Sequence, residues 1–87
     1  MQGNPSLPRS INLASMKPGD TGIIIKISED FVAGKLVSMG VMAGKTITLI
    51  RIAPFGGGMY VKAGSNNLVL RLNEAKSIWI ELVNLPI

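Results

Sequence analysis

The chain has 87 residues, of which 47% are hydrophobic, and nine Lys and Arg against five Asp and Glu give it a net charge of +4. That length holds one domain, and the apolar fraction is that of a folded chain, not a disordered one. Cys and His are both absent, which excludes disulfide scaffolds, Cys/His zinc sites, thiol catalysis, and Ser-His-Asp or His-ligated metal chemistry.

The first ten residues, MQGNPSLPRS, hold two prolines and no apolar run. They read as a flexible tail (1–10) ahead of a single domain (11–87), with no signal peptide and a cytoplasmic location expected. Ile11 to Met16 is a short apolar patch, either one helical turn or the lead-in to a strand. Lys17-Pro18-Gly19-Asp20 is a turn signal, with Pro and Gly suited to its two central positions. Thr21 to Ser28 reads as a strand on the β propensity of Ile23, Ile24 and Ile25. Three isoleucines in a row hide the alternation, and a bulge at Ile24 or Ile25 lets Ile24 and Ile27 both point inward.

Glu29 and Asp30 suit the start of a short helix over Phe31 to Met39. Val32, Leu36 and Met39 share one face of it, and Gly40 stands where a C-cap glycine belongs. The stretch from Phe31 to Ala43 is broken by Lys35 and falls short of the roughly 20 apolar residues of a membrane span. Any membrane role is therefore expected through a partner, without direct insertion. Val41 to Gly44 is a turn, and Lys45 to Ala53 is a second, largely β-branched strand. Pro54 to Gly58 must be a loop, since three glycines in a row seldom hold regular structure. Met59 to Lys62 is a short strand and Gly64 to Asn67 a tight hairpin turn. Leu68, Leu70 and Leu72 then alternate with Val69 and Arg71. Asn73 to Lys76 is a single turn, and Ile78, Ile80 and Leu82 alternate with Trp79 and Glu81 in the last strand. Ile47, Leu49, Leu68, Leu70, Ile78 and Ile80 are the expected core. The fold class is mainly β: a small five-stranded barrel with a short helical insertion after the first strand.

The order of these pieces resembles a known family. Pro18-Gly19-Asp20-Thr21-Gly22 precedes the Ile-rich strand, and Leu36-Val37-Ser38-Met39-Gly40-Val41-Met42-Ala43-Gly44 follows it. Arg51-Ile52-Ala53-Pro54-Phe55-Gly56, Leu68-Val69-Leu70-Arg71, Glu74-Ala75 and Ile78-Trp79-Ile80 complete the set. Over residues 13 to about 82 this is similar to the FeoA family, small cytosolic partners of the ferrous-iron transporter FeoB. The resemblance implies an SH3-like barrel, a module also found at the C-terminus of repressors related to the diphtheria toxin repressor. It further implies a non-enzymatic accessory role in ferrous iron uptake, with FeoB as partner. Gly34-Lys35 and Gly57-Gly58 depart from the family pattern, and the second pair should make the loop more pliant.

The residues themselves offer little chemistry. Ala53 to Gly58 lacks the Lys-Ser/Thr and following helix of a phosphate-binding loop. Asp20, Glu29, Asp30, Glu74 and Glu81 read as surface acids, with no matched acid–base pair and no donor set for a tight cation site. Neither a cofactor nor a metal site is expected. The nine basic residues are spread evenly from Arg9 to Lys76, which reads as a solvated surface; a small basic barrel that binds nucleic acid is the alternative. The candidate partner-binding residues are Met39, Val41, Met42, Phe55, Met59, Tyr60 and Trp79. They are apolar or aromatic groups beside glycines or on the outward side of a strand.

Overall fold

A computed structural model describes residues 10–28 and 30–83, except for the side chains of residues 30–32. Six strands form one antiparallel sheet: β1 (Ser10–Asn12), β2 (Thr21–Ile27), β3 (Thr46–Ile52), β4 (Met59–Ala63), β5 (Asn66–Leu70) and β6 (Ile78–Leu82). Their spatial order is β1-β6-β2-β3-β4-β5. Two short helices complete the fold, α1 (Asp30–Ser38) and α2 (Leu72–Lys76).

The sheet has one strand more than the sequence pattern counts. Ser10 to Asn12 pairs with Glu81 to Trp79, and the chain then tightens into a 3-10 turn over Leu13–Ser15. The Ile11–Met16 patch is thus both strand and turn, and Ser10 belongs to the sheet. Residues 1–9, assigned to a flexible tail, lie outside the described residues, as do Glu29 and the side chains of Asp30 and Val32. The helical insertion follows the first of the long strands, which is the second strand of the fold.

Two bulges shape the sheet. Ile25 is the extra residue of β2, between Ile24↔Ile80 and Lys26↔Trp79. Ile24 is buried and Ile27 packs against the core beside it, as the isoleucine run requires. A second bulge sets Ile50 of β3 against no partner on β4, between Leu49↔Val61 and Arg51↔Tyr60.

The core is built from the inward residues of every long strand. Ile24, Ile47, Leu49, Val61, Leu70, Ile78 and Ile80 have no more than a trace of exposed surface. Leu68 is only half-buried against this cluster. Leu72 departs from its expected place, because the chain leaves the sheet after Leu70 and starts α2, so Leu72 is half exposed.

The sheet is not closed, since β1 and β5 are its two edges. Between these edges α2 packs against the 3-10 turn that follows β1, and α1 approaches the β5 side at two points. Gly40, just beyond α1, sits beside Asn66 at the start of β5, and Lys35 reaches Glu74 of α2 past its end. Leu36 of α1 is fully buried in the core cluster. Gly40 has φ 88°, a left-handed C-cap geometry that glycine adopts without strain.

Candidate partner-binding surface

β3 runs out at Ile52 into a loop built by proline and glycine. Ala53 is extended, as a residue before proline prefers, and Pro54 opens a 3-10 turn over Pro54–Gly56. The Ala53 N–H donates to the Gly58 carbonyl at 2.8 Å and the Gly57 N–H to the Pro54 carbonyl at 3.1 Å, closing the loop. Phe55 has φ 58° and ψ 37°, a left-handed conformation uncommon outside glycine, and its ring is fully exposed. Beside it lies a hollow of about 110 Å³ lined by Ile52, Ala53, Gly56, Gly58, Met59 and Leu72.

The outer face of the sheet continues this surface. Arg51, Tyr60 and Val69 stand opposite one another across β3, β4 and β5. The Arg51 guanidinium lies 4.7 Å from the centre of the Tyr60 ring, within cation–π range. Ile50, pushed out by its bulge, and Val69 are about half exposed.

The seven candidate residues fall in three places. Met39 and Met42, both half-buried, occupy the turn before β3. Phe55 and Tyr60 lie toward its other end, about 20 Å away at roughly 3.3 Å per strand residue. Trp79 is half-buried on the β6 face, where it lines an open pocket of about 240 Å³ with Ser10, Ile25 and Lys26. Val41 and Met59 are corrections: both are core residues with at most 2% of their surface exposed. Val41, just after α1, joins the buried core cluster, and the backbone alternation of β4 turns Met59 inward, where it lines the hollow. The pattern reading missed Ile52 and Leu72, which flank the loop and are each 51% exposed. The available signal was positional: each is the apolar residue next to where a strand ends.

Glu74 is a second correction, because it is not a surface acid. Its side chain is 8% exposed and accepts from Lys35 Nζ at 2.5 Å and from the Arg71 N–H at 2.9 Å. The Lys35 hydrogen bond first, then the Arg71 amide, hold its pKa below the ordinary carboxylate value. The Arg71 contact is the returning half of a capping box that starts α2. Among the described residues no three Asp or Glu side chains gather as a metal donor set.

A family model described as the FeoA domain matches residues 11–82. A fusion protein of Fe(2+) transport protein A with the Fe(2+) transporter FeoB, from Porphyromonas gingivalis, is 31% identical over 75 residues. That match covers 85% of this chain and 9% of the fusion protein, so the chain spans a small part of that relative. The solution structure of a FeoA-like protein from Clostridium acetobutylicum is 28% identical with a TM-score of 0.81, covering 90% of this chain and 92% of that one. FeoA of Stenotrophomonas maltophilia, described as a procaryotic SH3 domain protein and crystallised with zinc, superposes with a TM-score of 0.70 over 82% of this chain and 89% of that one. Its identity is 21%, and the likeness is one of fold.

Proposed function

Since this chain belongs to the FeoA family, we propose that it is a non-enzymatic accessory protein of ferrous iron transport that binds a FeoB-type transporter from the cytoplasmic side. The observation that carries the reading is the relative in which this domain and FeoB are one polypeptide. Joining two modules raises their effective concentration, which is useful when they act as a complex. The absence of Cys and His fits a role by contact instead of catalysis.

The contact surface in this reading is the loop end of the sheet: Phe55 with Ile52, Leu72 and Tyr60. These groups are apolar or aromatic, exposed, and outside the buried core cluster. Trp79 and Met42 mark the two other patches. The test is capture of the transporter from membranes by the tagged chain, with Phe55→Ala, Trp79→Ala and Met42→Ala compared. Phe55→Ala should leave the melting curve unchanged and weaken capture by at least about 1 kcal/mol, the usual threshold for an interface residue that matters. Undiminished capture by Phe55→Ala moves the surface to whichever other variant loses it. No capture by the wild type defeats the reading.

A further inference from the structure

The two edges of the sheet are not alike. β1 is three residues long, and a short edge is one way in which a sheet avoids stray pairing. β5 has five residues, no charge, no proline and an unbroken register with β4, so it carries none of the usual edge protections. It packs broadly against β4 alone among the described elements. Its backbone pattern follows from its neighbour. The Gly64 N–H donates to the Thr46 carbonyl of β3 at 3.0 Å. By alternation Lys62 and Tyr60 also turn their backbone groups toward β3. Ala63, Val61 and Met59 turn theirs toward β5, where they face Asn66, Leu68 and Leu70. The N–H and C=O groups of Asn67 and Val69 are thereby left on the outer edge. Among the described residues no other strand pairs with β5, and no loop backbone bonds these groups.

The two faces of this edge differ in chemistry. Leu68 belongs to the inward row, opposite the fully buried Val61, yet it is itself only half-buried, so the apolar layer is unfinished at this margin. On the outward face Asn67 stands opposite the exposed Lys62, and the exposed Arg71 directly follows β5. The sequence has no acidic residue between Asp30 and Glu74, and Glu74 is taken up by Lys35 and the Arg71 amide.

We infer that the free edge of β5 accepts an extended peptide strand of a protein partner, with apolar side chains on the face beside Leu68 and acidic ones on the face beside Asn67 and Lys62. The edge offers donors and acceptors in alternation, and another extended backbone answers both in order. A phosphate-bearing partner suits the amides but sets its charge against the carbonyls between them. A second copy of β5 has the right backbone, but it brings its own Lys62 and Arg71 where the charge on this face calls for acids. The inference does not rest on the transporter reading.

The probe is a short capped peptide in which Glu alternates with Val, titrated into the full chain, and the comparison is the same peptide with Lys in place of Glu. The Glu peptide should slow hydrogen exchange at the Asn67 and Val69 amides, and the Lys peptide should bind at least about fivefold more weakly. Lys62→Gln should weaken the Glu peptide about threefold and the Lys peptide not at all. Two further peptides are N-methylated, one at its Glu residues and one at its Val residues. Only one of these sets of amides can face β5. One methylated peptide should therefore lose at least about tenfold in affinity, the scale of two lost hydrogen bonds, while the other binds as before. Val69→Pro removes an edge donor without touching the ladder to β4 and should weaken binding about fivefold. If that variant does not fold, the methylated peptides pose the same question to the unaltered protein. Unchanged exchange at Asn67 and Val69, equal binding of the Glu and Lys peptides, or equal binding of the two methylated peptides overturns the inference. A dimer in sedimentation that Val69→Pro abolishes gives the edge to a second copy and overturns it as well.

Discussion

Leu70 ends the inward row of β5, opposite Met59, and has no exposed surface. Truncation to Ala leaves a cavity among the fully buried side chains of the core cluster that Leu70 joins. Leu70→Ala should therefore cost about 2–5 kcal/mol in urea unfolding, a large part of a small domain's stability. A loss below about half a kcal/mol, the range of surface changes, means the strand's faces are reversed. Glu74 gives a second residue-scale expectation. Its folded pKa is depressed by Lys35 and the Arg71 amide. The stability it contributes is complete above the ordinary carboxylate range and is lost as pH falls through the folded value. Glu74→Gln should cost about 1–3 kcal/mol at neutral pH, the scale of a hydrogen bond to a charged group. Solvent screening at the 55% exposed Lys35 favours the lower end. The urea midpoint of the variant should also fall less steeply between neutral and acid pH than that of the wild type. Parallel curves would show that Glu74 is not the group responsible.

Among the elements, the loop between β3 and β4 depends on Gly58. Its φ is +112°, and a Cβ there meets Val69 Cγ1 at 2.9 Å and the Leu70 carbonyl at 3.0 Å. The first contact can yield by rotation of a side chain; the second is backbone of the neighbouring strand and cannot. Gly58→Ala should cost about 1–3 kcal/mol in strain and loosen the loop that carries Phe55. Gly56→Ala is the informative comparison: Gly56 also has positive φ, at 73°, but a Cβ there meets nothing. Hydrogen exchange at Ala53, whose amide closes the loop onto Gly58, should rise in Gly58→Ala and change less in Gly56→Ala. Equal effects would mean that φ alone, and not contact with β5, sets the cost.

For the molecule as a whole, the chemistry is bounded by what the chain lacks. Without His or Cys, borderline metals have only carboxylates and thioethers to bind. Titration calorimetry with Fe(II) should therefore find no site of micromolar affinity on the isolated monomer, and a 1:1 site that tight would defeat this expectation. The architecture also separates three surfaces on one small body: the α1–β3 turn with Met42, the Phe55 end, and the Trp79 face. A partner that touches two of them must wrap the sheet. Alanine substitutions at Phe55 and Trp79 should then have additive effects on capture if both surfaces are used, since distant sites act independently.

Much of this was legible in the residues because local rules decide it. The isoleucine run fixes a bulged strand, Gly40 a helix end, Pro18-Gly19 a turn, and the alternation of Ile78 and Ile80 with Trp79 the inward row of β6. The family resemblance adds the SH3-like class, and the fold likeness to a solved FeoA described as an SH3 domain protein agrees with it. The tertiary structure decided what depends on partners distant in sequence. Ser10 to Asn12 is a strand only because β6 offers it an edge. Val41 and Met59, apolar residues beside glycines, resemble surface groups in the sequence, yet both are buried in the core cluster. Leu72 keeps its place in the leucine alternation but emerges where the sheet stops, and Glu74 is buried because Lys35, 39 positions earlier, meets it. Periodicity reports which side of a strand a residue occupies; whether that side is covered depends on where other elements pack, and no local pattern encodes it.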